Sequence, residues 1–209
     1  MAGSADLTSL LVAIANLDHR AARDLLSATP SLATARLARA DEFFLAERLA
    51  QVYEGDTALH AAGFSYDSGM ARDLITRGAQ IRARNRRGAE PLHAAVIGLP
   101  GSTGWNPTRQ REVILYLIEA GADPNAAAAG GVTPLHRAVR NRCSAAVEVL
   151  LRAGADPGLQ NDRGSTASDL AQLTTGRGGT GAAEAKAEQL IILELLNAGK
   201  GCDDRGVPR

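Results

Sequence analysis

Three histidines, His60, His93 and His136, recur in one six-residue context, and a recurring imidazole is the first chemistry this 209-residue chain offers. A neutral imidazole is the commonest metal ligand and a general base near neutral pH. Cys143 stands seven residues beyond His136 and offers a thiol for a nucleophile–base pair. Seven residues of helix, however, separate the two by about 10 Å, beyond hydrogen-bond reach. The run Gly176-Arg177-Gly178-Gly179 precedes a helical pattern, and successive glycine amides can form a nest for an anion. It lacks the lysine and hydroxyl that complete a phosphate-binding loop, and no strand leads into it, so a flexible inter-helix loop is the plainer reading. Cys143 and Cys202 are too few for a metal cluster, and Cys143 reads as a small packing residue near the end of a helix. Asp67, Asp73, Glu112 and Glu148 read as solvated helix faces. No catalytic set assembles, and neither an enzyme nor a metal or cofactor is expected.

The elements that carry these residues are repeated. The phrase Thr57-Ala58-Leu59-His60-Ala61-Ala62 returns as Glu90-Pro91-Leu92-His93-Ala94-Ala95 and Thr133-Pro134-Leu135-His136-Arg137-Ala138. A degraded copy follows, Thr166-Ala167-Ser168-Asp169-Leu170-Ala171. Each phrase is followed downstream by a glycine, at Gly78, Gly121, Gly154 and Gly199. From each of the first three glycines to the next opening residue is 12 positions, whereas opening residue to glycine is 21, 31, 21 and 33. Two units therefore carry insertions between their helices. The pattern resembles the ankyrin repeat, a unit of about 33 residues with a T-P-L-H-x-A opening.

The physical logic of the unit stands beside the resemblance. Thr57, Thr133 and Thr166 suit helix N-caps. Pro91 and Pro134 suit the first helical position, where proline's missing amide costs nothing. Leu59, Leu92 and Leu135 are core, and the alanines after them keep each helix slim enough for a neighbour to approach. Gly121 and Gly154 suit helix ends that turn left-handed. Asp123-Pro124 and Asp156-Pro157 then force extended chain. Helix–turn–helix–turn units follow.

Upstream, Leu7, Leu10, Leu11, Ile14 and Leu17 recur at helical spacing, and Ala21, Leu25 and Leu26 continue after Asp18. They predict a divergent capping repeat. A third segment, Asp41 to Val52, predicts an extra capping helix or a lengthened linker. The expected domains are 1–52 as cap and extra helix, 53–199 as repeats (53–84, 85–127, 128–160, 161–199), and 200–209 as a disordered tail. A long closing helix is expected from Ala183 to Ala198.

The formal net charge is zero, which removes a global pull toward nucleic acid or anionic membrane. The basic residues are nearly all arginine, with Lys186 and Lys200 the exceptions, a bias that fits either guanidinium recognition or a GC-rich genome. The run Leu7 to Leu17 is about half the length needed to cross a bilayer. The N-terminus has no basic lead-in for secretion. A cytoplasmic protein with reduced thiols is expected.

The resemblance implies an all-α solenoid of four recognisable repeats plus the cap, similar to bacterial cytosolic ankyrin proteins. It also implies that the three histidines are structural, bonding backbone and threonine hydroxyl across the inter-repeat turn. Ligands of one zinc must all lie within about 2.1 Å of it, which adjacent stacked repeats do not permit. Partners of the family usually bind the concave side, formed by hairpin-like fingers, the extended turns that link one unit to the next, and by the exposed flank of each first helix. Carried over by position, that face uses Tyr53, Glu54, Asp56, Arg86, Arg87, Val132, Asp162, Arg163 and Ser165 on the fingers. Helix flanks add Phe64, Ser65, Ile97, Arg137, Arg140 and Asn141. The insertion Leu99 to Arg109 brings Trp105 and Arg109, either to a partner or, for Trp105, back onto its own repeat as a staple. A protein partner, acidic in character, and a monomeric state are expected. The competing reading is a small-molecule or anion pocket built from Trp105, the Gly176–Gly181 loop and Arg137, Arg140 and Arg142.

Overall fold

The computed structural model describes residues 4–39, 44–45, 50–173 and 183–198. Five helical hairpins follow one another. They are α1 (Ser4–Ala15) with α2 (His19–Ala28), α3 (Ala58–Phe64) with α4 (Ser68–Thr76), α5 (Pro91–Ala95) with α6 (Pro107–Glu119), α7 (Pro134–Arg140) with α8 (Ser144–Arg152), and α9 (Ala167–Gln172) with α10 (Ala183–Ala198). A 3-10 turn (Pro30–Ala33) and a short antiparallel ribbon, β1 (Phe44–Leu45) with β2 (Ala50–Gln51), lie between the first and second hairpins. The helices sort into two rows. α1, α3, α5, α7 and α9 touch in succession, as do α4, α6, α8 and α10. This is an all-α solenoid whose hairpins bury their apolar faces against their neighbours.

The repeated phrase explains the first row. Thr133 and Thr166 cap α7 and α9, their hydroxyls accepting from His136 and Asp169 amides at 3.4 and 3.2 Å. Pro91 and Pro134 open their helices. Leu59, Leu92 and Leu135 are at most 1% exposed, and each such burial contributes about 1.5–3 kcal/mol. Gly78, Gly121 and Gly154 take φ of +92°, +108° and +87°, the left-handed turn that ends α4, α6 and α8.

A second repeated feature carries no sequence word. Leu17, Tyr66 and Arg142 all have φ near +58° (59°, 57° and 58°) at the turn between the two helices of their hairpins. This region costs a side-chain-bearing residue about 1–2 kcal/mol. Each is followed at once by the N-cap of the second helix: Asp18, Asp67 and Cys143. Asp18 and Asp67 accept from the amides of Ala21 and Met70 at 3.0 and 2.9 Å. The shared turn makes α1–α2 a complete unit of the stack.

The structure bears on three expectations. Asp41–Val52, expected as an extra capping helix or a lengthened linker, holds the β1–β2 ribbon and no helix among its described residues: Phe44 pairs with Gln51 and Leu45 with Ala50. Its apolar residues Phe43, Phe44 and Leu45 are consecutive and cannot form one helical stripe, and the chain must run extended into the turn at Tyr53. Asp67 is buried, held by Met70 and by His19 Nε2 at 2.6 Å, and is no solvated carboxylate. Cys143 is buried as a packing residue just past the end of α7, as expected, and stands at the N-cap position of α8. The Gly176–Gly181 loop, Cys202 and the 200–209 tail lie outside the described residues.

Candidate partner-binding groove

The fingers that edge the groove are fixed by main-chain bonds from unit to unit. Gly55 donates to Leu37 O, Arg86 N to Glu54 O, Ala129 N to Arg87 O and Asp162 N to Gly130 O, at 2.8, 2.8, 2.8 and 3.0 Å. Two fingers are shaped by an asparagine. Asn85 Oδ1 accepts from Arg87 N and Ala89 N, and Asn161 Oδ1 from Arg163 N and Ser165 N, all at 2.9–3.1 Å. Close approach leaves no room for a side chain at Gly131, where a Cβ would stand 2.9 Å from Asp162 N.

The histidines join each finger to the helix row. Nδ1 of His60, His93 and His136 accepts from the amides of Thr57, Glu90 and Thr133, at 3.2, 3.2 and 3.3 Å. Nε2 donates to the next finger's carbonyl, Ala89, Val132 and Ser165, at 3.0, 3.1 and 3.0 Å. Both ring nitrogens are thereby used, which fixes the neutral tautomer with the proton on Nε2. Burial, then the Arg137 guanidinium, pushes His93 down to about 3. Burial also lowers His60, against the opposing pull of Asp56.

Four arginines, at positions 82, 84, 86 and 87, crowd one finger in the sequence, but the structure divides them. Glu90 stands where other units carry threonine, and its carboxylate is 1% exposed. Arg84 Nε donates to Glu90 Oε1 at 3.1 Å, while Arg82 reaches Glu90 at 3.6 Å and Asp123 at 3.3 Å. Arg86 and Arg87 instead flank the Tyr53 ring, 5.4 and 5.3 Å from its centroid.

Six of the residues that the resemblance assigned to a concave face come together. Arg87, Val132, Arg140, Asp162, Arg163 and Ser165 line a cavity of about 550 Å³, together with Arg142. Arg137 is half-buried, with Nη1 donating to His93 O at 3.3 Å. Its pKa is lowered by burial, opposed by Tyr53 and reinforced by Arg140. Other sites serve the scaffold. Asp56 is buried, accepting from Tyr53 N and Asn85 Nδ2 at 2.8 Å each. Ser65 bonds Ala61 O and Asn141 bonds Arg137 O, each within its own turn. Glu54, Phe64 and Ile97 are half-buried, away from that cavity.

Trp105 and Arg109 do not line it. Trp105 folds back: its Nε1 donates to Gln110 Oε1 at 3.1 Å, and the fully buried Gln110 donates on to Ala95 O at 3.1 Å. The indole also covers Gly98, where a Cβ would lie 2.6 Å from it and 2.7 Å from Cys143 Sγ. Trp105 is therefore not part of the cavity that Arg140 and Arg142 line. The residues that sequence reasoning missed are on the far wall: Leu170, Leu173, Gln189 and Ile192. Gln189 Nε2 donates to Ala171 O at 2.7 Å, so α10 leans over the end of α9. The apolar pattern of α10 signalled a closing helix, but nothing in it signalled a wall.

Comparison with known proteins agrees with this architecture. A family model described as "Ankyrin repeats (many copies)" matches residues 112–171. The chain is 41% identical over 117 residues to mouse ankyrin repeat and SOCS box protein 16, covering 55% of this chain and 25% of that protein. It is 33% identical over 116 residues to Protein PhlB of Serratia liquefaciens, covering 55% and 47%. To human NF-kappa-B inhibitor alpha it is 32% identical over 130 residues, covering 57% and 38%. The chain thus spans between a quarter and a half of these relatives' lengths.

Proposed function

Because the chain belongs to the ankyrin-repeat family, whose members mediate protein–protein interaction, we propose that it is a non-enzymatic module capturing a protein partner on its concave face. The observation that carries this reading is the cavity of about 550 Å³ between the last fingers and the α7–α9 flank, where four arginines face one aspartate. Such a surface favours an acidic partner although the whole chain is neutral. The histidines support a binding role over a catalytic one, because both nitrogens of each stacked ring are committed to backbone. The fourth, His19, is paired with Asp67. Among the described residues no helix is long and apolar enough to cross a membrane. A monomeric, cytoplasmic setting in a bacterium belongs to the same reading.

The test is charge reversal at two exposed groove positions, Arg87→Glu with Arg140→Glu. Affinity capture from the native cytosol should lose its partner, with the melting temperature unmoved. Capture at wild-type level would remove the concave face from the function.

A further inference from the structure

Two sets of arginines in this stack differ in their partners. Arg77, Arg82, Arg84, Arg111 and Arg152 each reach a carboxylate: Asp73, Glu90 with Asp123, Glu90, and Glu148 for the last two. At the cavity, Arg87, Arg140 and Arg163 reach none among the described residues, and Asp162 pairs with none of them. Beside this unneutralised charge Leu173 stands 52% exposed at the rim, while Val139 and Ile192 behind it are buried.

Equivalent positions in the sequence repeat explain the juxtaposition. The seventh residue after each unit's opening is Phe64, Ile97, Arg140 and Leu173 in turn. One cationic site is therefore set between apolar ones along the row of first helices. Behind it Arg137 holds a largely desolvated guanidinium whose charge burial disfavours, a condition that a nearby anion relieves.

We infer that this cavity receives an acidic peptide segment of the partner in which a carboxylate side chain lies next to an aliphatic one. The carboxylate is held by Arg140 and Arg163, and the aliphatic side chain packs on the exposed Leu173. A guanidinium presents a planar fork that matches a carboxylate. The cavity's volume falls within the range that buries ligand-sized groups. The inference rests on the concave-face reading above and adds the chemistry of the partner segment and its place at the C-terminal end of the groove.

The experiment is selection of random twelve-residue displayed peptides against the full chain, followed by fluorescence anisotropy with a labelled peptide of the selected consensus. The expected consensus places Asp or Glu within two residues of Leu, Ile, Val or Met. Arg140→Gln with Arg163→Gln should weaken that peptide about tenfold and flatten its salt dependence. Leu173→Ser should weaken it about fivefold at unchanged salt dependence. Circular dichroism should show all variants melting with the parent. Two results overturn the inference while leaving the concave face in place. One is a neutral or basic consensus whose binding is lost in the Arg87→Glu, Arg140→Glu protein. The other is an acidic consensus indifferent to Leu173→Ser. Peptides indifferent to every groove variant, or no selected peptide at all, overturn both readings.

Discussion

Replacing His93 with glutamine gives a sharp test of how the stack is joined. His93 is fully buried, accepts from Glu90 N through Nδ1 and donates to Val132 O through Nε2. Burial first, and Arg137 second, push its pKa down to about 3. An unfolded histidine titrates near 6.5. Below that pH the unfolded chain binds a proton that the folded chain refuses, so folding is favoured at high pH and penalised as pH falls. The stability is complete above about pH 7, declines through the unfolded pKa, and goes on declining until the folded ring itself protonates near pH 3. Between pH 7.5 and pH 5 the loss from this one ring is about 2 kcal/mol. That figure does not depend on the folded value, because at pH 5 a ring with pKa 3 or 4 is still neutral.

Glutamine has no proton to take up in this range. His93→Gln should therefore be less stable at pH 7.5 by about 1–3 kcal/mol, since a buried amide and carbonyl lose well-placed partners. Its further loss on going to pH 5 should be about 2 kcal/mol smaller than the parent's. Urea denaturation followed by far-UV circular dichroism at both pH values measures the difference directly. Staying at or above pH 5 keeps most carboxylate titration out of the comparison. His60, which burial also shifts down, contributes alike to both proteins. Equal losses in parent and variant would refute the claim that His93 is held neutral between repeats.

Two further outcomes follow from burial. Leu135→Ala, at a side chain 1% exposed in α7, should cost about 2–5 kcal/mol in urea denaturation, and a loss below about 1 kcal/mol would mean the hairpins are not packed as described. The Cys143 thiol, fully buried and pushed up to about 12 by burial, should resist a disulfide reagent in the native state and react only on unfolding, measured in a Cys202→Ser background; native labelling at the rate of an exposed thiol would contradict its place behind Gly98.

The scaffold was legible where the sequence repeats itself and illegible where partners are distant. Threonine, leucine and histidine act within one unit or on the next, so their spacing exposes their role. Asp67 is different: its burial depends on His19, 48 residues away. The left-handed turns at Leu17, Tyr66 and Arg142 share a conformation but no residue type, so no glycine betrayed the equivalence of α1–α2 to later hairpins. Glu90 was visible as an odd letter in a threonine position. Only the finger geometry shows that it binds Arg84 and Arg82, which removes both from the free charge expected on the groove. The wall from α10 was hidden because residues 174–182 separate Gln189 and Ile192 from the phrase that opens their unit.

The same comparison separates residues that hold the stack from residues free to meet a partner. At the third position of the phrase, the first three units carry Leu59, Leu92 and Leu135, and all are buried. At the fifth, the units carry Ala61, Ala94, Arg137 and Leu170, and at the eighth Phe64, Ile97, Arg140 and Leu173. A site that accepts alanine, arginine and leucine in one repeated backbone environment is not chosen by packing. Arginine at both sites occurs in one unit of the four, the unit that opens onto the cavity, and there Arg140 has no carboxylate partner among the described residues. That unneutralised cation is the charge on which the proposed capture of an acidic partner depends.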